Sequence, residues 1–506
     1  MATVPLDPIA THGRTRGHAL AAVDIASERQ WTWEELDKAV NCAAQWLAHR
    51  LGAGSRARVA TLARNSVDLL VLQRACARAG AIYVPLNWRL TSSELAILYA
   101  DATPALLIYS EEFGAEGFGG EALSLSRLAE LLAHSPPADM GPLQGLGADD
   151  PWTLLYTSGT TGRPKGVIVT QETAFWSATN FLHGNGVSSR SVFLCDMPLF
   201  HTAGLFAAAG TPLLAGATVL VSQGFDPVRT LQMIADRDWG VTHYFAVPQM
   251  AQGIWNQPGF SPDILSRLEV FATGGAPNPK VQVERFIKAG VPMSDGFGMT
   301  ETGSNFGMPV GNPARAIAKA GSIGLPYLAV DAKIVGTDGE TLGDHEIGEL
   351  YVAGPGVTPG YWQLPERTAE AFDGAWFRTG DAAYRDADGF YFLVDRKKDM
   401  YISGGENVYP AEVEGVIAEL DGIAQAAVVG VPDERWGEIG IAYVSVLADA
   451  QVTANQVASH CRQRLAKYKV PQLVVVTHDI PRTSSGKVLK HVLRERAEAE
   501  QRGRGH

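Results

Sequence analysis

The pattern of apolar and polar residues along the first third of the chain predicts helices that alternate with strands. Thr32 and Glu35 have the spacing of a capping box, and apolar residues then recur at helical intervals from Leu36 until Gly52. Short apolar runs then alternate with helix-like segments, at 59–62, 66–79, 81–84, 92–100 and 105–109. This alternation indicates layered α/β structure with substantially parallel sheets.

The pattern changes near Asp331, where the segments become short and turn signals such as Asp338-Gly339 and Asp388-Gly389 appear. Short segments separated by turns predict an antiparallel or barrel-like part. Beyond the charged run at 395–399, the rest of the chain has the pattern of a small α+β domain. We therefore expect a large α/β domain over 1–396, with the barrel-like part at 331–396, and a small α+β domain over 397–506.

The longest uncharged stretch, 202–223, is interrupted by Gly204, Gly210, Pro212 and Gly216. It therefore predicts a buried helix and strand and no integral membrane segment. The first twenty residues lack the apolar core of a signal peptide, so we expect a cytoplasmic protein. The four cysteines have no metal-like or disulfide-framework spacing.

Composition narrows the class of protein. The chain has 506 residues, of which 46% are hydrophobic and 19% are charged, as in ordinary globular domains. The net charge is −12, which argues against nucleic acid as a partner held by the overall field of the protein. Any polyanionic ligand must instead be bound locally. Oligomeric state does not follow from the sequence, and a homodimer through the large domain is one possibility.

A loop rich in small and hydroxyl residues follows the apolar run at 152–155 and ends at Lys165. Small residues let backbone N–H groups approach a polyphosphate, hydroxyls donate to its oxygens, and the lysine supplies charge. The lysine precedes glycine, so the loop is not a Walker A motif. Composition alone also allows a plain linker. The loop residues with a candidate role are Thr157, Ser158, Gly159, Thr160, Thr161, Gly162 and Lys165.

The order of residues in this loop, YTSGTTGRPKGV, resembles the signature of the adenylate-forming superfamily, which contains acyl-CoA synthetases, adenylation domains of peptide synthetases and luciferases. Other motifs similar to those of the superfamily follow in order, namely PLFH at 198–201, GGAP at 274–277, GFGMTE at 296–301, FRTGD at 377–381, DRKKD at 395–399, SGGENVYP at 403–410 and PRTSSGK at 481–487. The resemblance covers essentially the whole chain. It implies a large adenylating domain with a small mobile lid domain.

The resemblance also implies a nucleotide site. Phe297 would stack on adenine, Thr300 would bond the α-phosphate, Glu301 would hold Mg²⁺, and Asp381 and Arg396 would both bind the ribose. The ATP- or AMP-binding set also includes the loop residues above together with Gly275, Ala276, Pro277, Asp295, Gly296, Gly298 and Lys487.

Catalysis would then fall to Lys487, His201, Thr300 and Glu301. The family's matching lysine orients the carboxylate against the α-phosphate, and Lys398 matches the family's hinge. Rotation there would withdraw Lys487 and bring the CoA-binding residues Ser403, Gly404 and Gly405 to the cleft. The acyl pocket would be lined by His201, Ala203, Phe206, Tyr244, Gly274, Gly298 and Met299.

The resulting prediction is an ATP-dependent acid–CoA ligase that uses ATP, Mg²⁺ and CoA on a small carboxylic acid. Overall resemblance favours a hydroxycinnamic acid of the ferulic or coumaric type, and a medium-chain or long-chain fatty acid is the alternative. An amino-acid-adenylating enzyme, a luciferase-like oxygenase and a non-catalytic nucleotide-binding relative are further alternatives. No arginine in the predicted pocket segments offers a partner for a second carboxylate, which disfavours dicarboxylic acids.

Overall fold

The computed structural model describes residues 6–133, 147–157, 164–276, 278–396, 399–403, 406–433, 436–447, 450–482 and 488–504, without the side chains of 395, 396, 407 and 501–504. The strands up to residue 326 are β1 (Leu20–Asp24), β2 (Arg29–Thr32), β3 (Arg58–Leu62), β4 (Ile82–Pro85), β5 (Leu106–Tyr109), β6 (Glu121–Ser124), β7 (Pro151–Thr157), β8 (Lys165–Thr170), β9 (Val192–Cys195), β10 (Thr218–Val221), β11 (His243–Ala246), β12 (Val270–Thr273), β13 (Met293–Met299), β14 (Gly303–Gly307) and β15 (Leu325–Pro326). Those that follow are β16 (Asp331–Val335), β17 (Gly348–Ala353), β18 (Phe372–Asp373), β19 (Trp376–Arg385), β20 (Tyr391–Arg396), β21 (Tyr401–Ser403), β22 (Glu406–Val408), β23 (Ile423–Asp433), β24 (Gly437–Val446) and β25 (Leu473–Val476).

Helices separate most of these strands. They are α1 (Pro8–Arg16), α2 (Trp33–Leu51), α3 (Val67–Ala79), α4 (Ser92–Ala102), α5 (Leu125–Ala133), α6 (Gln171–Gly184), α7 (Thr211–Ala215), α8 (Pro227–Ala235), α9 (Pro248–Trp255), α10 (Pro262–Leu265), α11 (Lys280–Lys288), α12 (Pro313–Ala318), α13 (Pro365–Ala371), α14 (Pro410–Ala418), α15 (Ala454–Arg464) and α16 (Lys490–Arg504). A π-helix, Ala203–Gly210, runs directly into α7, and a short 3₁₀ helix covers Lys467–Lys469. The capping box at Thr32 is confirmed, since both of its reciprocal hydrogen bonds with Glu35 are present.

Two sheets carry the first three hundred residues. The first sheet has the strand order β6-β5-β3-β4-β7-β8, parallel except for β8. The second sheet has the order β15-β14-β13-β12-β11-β9-β10-β1-β2, parallel from β1 to β13 and antiparallel at both ends. One hydrophobic core spans both sheets and the helices between them. The predicted α/β layering with substantially parallel sheets is therefore confirmed.

The region that the sequence assigns to a barrel-like part is an antiparallel third sheet of order β16-β17-β19-β18, with β20 on β19. A fourth sheet begins at Tyr401 and has the order β22-β21-β24-β23, with β25 parallel to β24. Helices α14, α15 and α16 pack on this last sheet and enclose cores of their own around Val428 and Val429. The chain thus moves from α/β layers to antiparallel sheet and then to α+β structure.

The uncharged stretch 202–223 forms the π-helix, α7 and β10, most of whose side chains are buried. Throughout the described ranges, no helix is both long enough and apolar enough to cross a membrane. The stretch is instead part of the protein core. Its first turn begins directly after His201 and lines a cavity described below.

Candidate active site

The signature loop connects β7 to β8 as a hairpin. Thr157 and Lys165 face each other in register at its base, while Ser158, Gly159, Thr160, Thr161 and Gly162 lie outside the described residues. The Lys165 ammonium lies 4.7 Å from the centre of the Tyr361 ring, over its electron-rich face. The cationic end of the loop is therefore held beside an aromatic residue that is distant in sequence.

Tyr361 also reaches the predicted Mg²⁺ ligand, because its hydroxyl donates to Glu301 Oε1 at 3.2 Å. Nearby, the Thr358 backbone N–H donates to the Glu301 carbonyl at 2.7 Å and the Thr358 hydroxyl donates to the Ile168 carbonyl at 2.6 Å. The segment 358–362 thus fastens the Glu301 turn to β8. Sequence analysis missed Thr358 and Tyr361; the aromatic pair after Gly360, in a segment of turns, is the signal that marks them.

The GGAP loop at 274–277 and the GFGMTE motif meet at the carboxyl ends of two neighbouring parallel strands. Thr273 at the end of β12 is in register with Asp295 on β13. A Cβ atom on Gly274 would lie 3.0 Å from the Gly296 carbonyl oxygen, so the close approach of the two backbones favours glycine there. Gly275 has a φ of +80°, which also favours glycine, and Ala276 follows; Pro277 lies outside the described residues.

Asp295 is buried in a small polar cluster between these strands. Its Oδ1 accepts a hydrogen bond from the Thr273 hydroxyl at 2.7 Å and from the Asn278 amide at 3.4 Å. Burial raises the pKa of Asp295 to about 7, although both of these hydrogen bonds act in the opposite direction. This edge of the second sheet therefore contains a carboxyl whose pKa lies near neutral pH.

The hairpin from β13 to β14 places the rest of the motif. A Cβ atom on Gly298 would clash with the Gly303 carbonyl oxygen, and Gly303 has a φ of +70°. The half-buried Phe297 ring lies 6.0 Å from the Phe306 ring, centre to centre. Met299 ends β13, and Thr300 and Glu301 form the turn. The aromatic residue of the motif thus lies on β13, and its acidic residue lies in the turn that follows this strand.

A small pocket, referred to below as the cavity, lies beside this turn. Its walls come from α6, from the start of the π-helix and from the turn itself, and they include Thr173, Ser177, Thr202, Phe206, Thr300 and Glu301. Hydroxyl and carboxylate oxygens therefore share one cavity with the apolar Phe206 ring. This combination suits a ligand that has a charged end and an apolar end.

The other acyl-pocket candidates lie in different surroundings. His201 precedes the cavity wall, and its ring lies 4.6 Å from the Phe200 ring. Ala203 and Phe206 belong to the π-helix. Tyr244 is fully buried on β11, where its hydroxyl donates to Asp196 at 3.0 Å inside the core. Phe206 therefore lines the cavity together with Thr300 and Glu301, whereas Tyr244 is not among the residues that line it.

The ribose pair comes together on the third sheet. Asp381 on β19 and Arg396 on β20 are directly opposite in the antiparallel register. Asp381 is nearly fully buried, and its backbone N–H donates to the Thr379 hydroxyl at 3.1 Å. The structure does not describe the side chain of Arg396. The antiparallel pairing thus explains how two motifs fifteen residues apart meet.

Several predicted residues cannot be placed in this site. Ser403 ends β21 and is nearly fully buried. Its neighbours Gly404 and Gly405, the hinge residue Lys398 and the catalytic candidate Lys487 all lie outside the described residues. Their roles stay predictions.

Comparisons with known proteins agree with the geometry. A family model described as AMP-binding enzyme matches residues 9–362, and one described as AMP-binding enzyme C-terminal domain matches residues 412–487. This chain belongs to the AMP-binding enzyme family. The predicted superfamily is therefore confirmed, as are the α/β and α+β fold and the class of AMP-forming acid–CoA ligase.

Individual relatives cover most of the chain. A feruloyl-CoA synthase of an Amycolatopsis species is 40% identical over 88% of this chain and 91% of its own length. A long-chain-fatty-acid–CoA ligase of Mycobacterium tuberculosis is 34% identical over 95% of each chain. The structure of an o-succinylbenzoate CoA synthetase from Bacillus subtilis with ATP and a magnesium ion has a TM-score of 0.84, with 29% identity over 96% of this chain and 98% of that one.

Proposed function

We propose that this enzyme joins an aromatic carboxylic acid of the hydroxycinnamic type to CoA, through an acyl-adenylate formed from ATP. The observation that carries the proposal is the shared cavity, in which Thr300 and Glu301 face the apolar Phe206 ring. The relative that makes feruloyl-CoA supports this class of acid. A fatty acid is the second candidate, supported by the mycobacterial relative.

Each part of the nucleotide has residues suited to it. Gly274, Gly275 and Ala276 would receive the adenine at the edge of β12, with the Phe297 ring excluding water from one of its faces. Asp381 would accept hydrogen bonds from the ribose hydroxyls. Thr300 would donate to the α-phosphate, and Lys165 would neutralise the outgoing pyrophosphate. These groups bind and orient ATP so that the acid carboxylate meets the α-phosphate in line.

The donor set fits Mg²⁺. Glu301 contributes carboxylate oxygens to the cavity wall beside the Thr300 hydroxyl, and oxygen is the ligand that Mg²⁺ prefers. When bound with ATP, the ion supplies positive charge that neutralises the phosphates. The Tyr361 hydroxyl donates to Glu301 Oε1 and would restrain the orientation of this carboxylate when it holds the ion.

The second half of the reaction requires a different arrangement of the site. We assign residues 1–396 to the adenylating domain and 397–506 to the lid, with Lys398 as the hinge. Lys487 would orient the acid and stabilise charge as pyrophosphate leaves. Rotation of the lid would then withdraw Lys487 and let CoA approach along Ser403, Gly404 and Gly405. The thiolate would attack the acyl carbonyl and release AMP.

The substrates also bear on where in the cell the enzyme acts. ATP and CoA are cytoplasmic metabolites, which supports a cytoplasmic location for the enzyme. Association of two copies through the large domain stays a prediction, and size-exclusion chromatography with light scattering measures it directly.

The test is release of AMP from ATP with Mg²⁺, with and without CoA, across matched cinnamic, benzoic, fatty and amino acids. CoA-dependent release that is fastest with hydroxycinnamic acids is the expected result. Faster turnover of fatty acids would refute the aromatic acid as the substrate and support the second candidate, a fatty acid. Pyrophosphate exchange that does not lead to CoA-dependent turnover would point to another acceptor, and silence with every acid would refute the ligase.

A further inference from the structure

A buried asparagine links the two large sheets through the segment that precedes His201 in the chain. Asn65 follows β3 of the first sheet and is 4% exposed. Its Nδ2 donates to the Met197 carbonyl and its Oδ1 accepts from the Leu199 backbone N–H, both at 2.9 Å. Because one partner only accepts and the other only donates, the orientation of the amide is fixed.

This clamp holds the segment that leads into the cavity. Met197 and Leu199 follow β9 of the second sheet, and the His201 backbone N–H donates to the Pro198 carbonyl at 3.1 Å. Thr202, the next residue, already lines the cavity together with Thr300 and Glu301. A shift of the clamped turn therefore moves His201 and Thr202 relative to the rest of the cavity wall.

The other side of the segment is anchored separately. The Asp196 carboxylate accepts hydrogen bonds from the Ser222 hydroxyl, from the Thr230 hydroxyl at 2.5 Å and from the Tyr244 hydroxyl at 3.0 Å. All of these partners lie on or beside the second sheet. From the side of the first sheet, the Asn65 amide makes two hydrogen bonds to residues 197–199.

We propose that Asn65 is a positioning residue for the acid-binding half of the site: it sets the place of His201 and Thr202 by joining the first sheet to the turn at 197–199. This inference rests on the proposed function, because it assumes that His201 lines the acyl pocket. The nucleotide groups at β12, β13 and β19 have no part in this clamp, so the acid and ATP are expected to respond differently.

The test compares Asn65→Asp with a matched control. Asn65→Asp keeps the acceptor for Leu199 but replaces the donor to Met197 by a carboxylate oxygen. Asp24→Asn is the control, because Asp24 also makes a buried link between the sheets, accepting from the Val67 backbone N–H at 3.1 Å, without touching residues 197–199. Asn65→Ser serves as a second variant if Asn65→Asp does not fold. Melting temperatures and active-site titration correct each rate for folded protein.

We expect Asn65→Asp to raise the KM for the acid roughly tenfold, as expected for a lost buried hydrogen bond, with the KM for ATP within about twofold of the wild type. Asp24→Asn should leave both constants unchanged. In a His201→Ala background, Asn65→Asp should add less than about a twofold effect, because the two residues act in one chain of contacts.

Three results would overturn the inference: equal changes of both KM values, the same pattern in Asp24→Asn, or effects of Asn65→Asp and His201→Ala that multiply. Wild-type enzyme that forms no acyl-CoA from any acid would instead refute the proposed function, so the two failures are distinguishable.

Discussion

Replacing Asp295 by asparagine should remove a pH-dependent loss of stability. In the fold, burial raises the pKa of this carboxyl to about 7, from an ordinary value of 3.8. A tenfold change in proton affinity corresponds to about 1.4 kcal/mol, so keeping the carboxylate ionised above pH 7 costs roughly 4 kcal/mol of unfolding free energy. Asparagine retains an oxygen for the Thr273 hydroxyl and the Asn278 amide but carries no charge.

The sign follows from proton binding. Between pH 4 and pH 7 the folded protein binds a proton at Asp295 that the unfolded chain has released, so the unfolding free energy contributed by this group falls as pH rises. From pH 5.5 to pH 8 the fall is about 2 kcal/mol. The wild type should lose this amount and Asp295→Asn should not. By the same relation, Asp295→Asn should be more stable than the wild type by about 2 kcal/mol at pH 5.5 and by about 4 kcal/mol at pH 8.

Urea unfolding of the nucleotide-free protein, followed by tryptophan fluorescence, measures this difference. Ten of the eleven tryptophans precede residue 397, so the signal reports on the part of the chain that contains Asp295. Asp386→Asn is the matched control. Burial opposes ionisation of Asp386, but hydrogen bonds from Lys319 and from the backbone N–H groups of Phe390 and Asp388 lower its pKa.

The Asp386→Asn substitution should change the unfolding free energy in the opposite direction. Asp386 stabilises the fold above its unfolded pKa and loses that contribution as pH falls through its lowered folded pKa. Asp386→Asn should therefore be less stable than the wild type throughout pH 5.5 to 8. Stability curves of wild type and Asp295→Asn that run parallel across this range would refute the reasoning for Asp295.

Three further changes test the site. Tyr361→Phe removes the hydrogen bond to Glu301 but keeps the ring beside Lys165; the Mg²⁺ concentration for half-maximal pyrophosphate release should rise several-fold, and an unchanged Mg²⁺ titration would contradict the role of Tyr361. Lys487→Ala should reduce adenylate formation by roughly 100-fold or more yet spare thioester formation from a supplied acyl-adenylate, and equal loss of both half-reactions would contradict its role. Lys398→Pro should preserve adenylation and cripple thioester formation, because proline fixes φ at the hinge; unchanged overall turnover would exclude the rotation.

The sequence by itself determined those features that depend on neighbouring residues. The capping box at Thr32 and the alternation of helices and strands are both local patterns, and each appears in the structure where it was expected. The signature motifs are also local. The resemblance they carry therefore sufficed to predict the family, the reaction class and the candidate residues, although the roles of those residues stay predictions.

Only the tertiary structure decided which distant residues act together. Tyr361 lies 196 residues beyond Lys165 and 60 beyond Glu301, yet it contacts both. Asn65 directly precedes the helix that the sequence predicts over 66–79, yet its amide clamps a turn 132 residues away. The pKa of Asp295 is likewise set by burial between β12 and β13. Such contacts and burial depend on how the sheets pack, and a linear pattern of residues does not specify that packing.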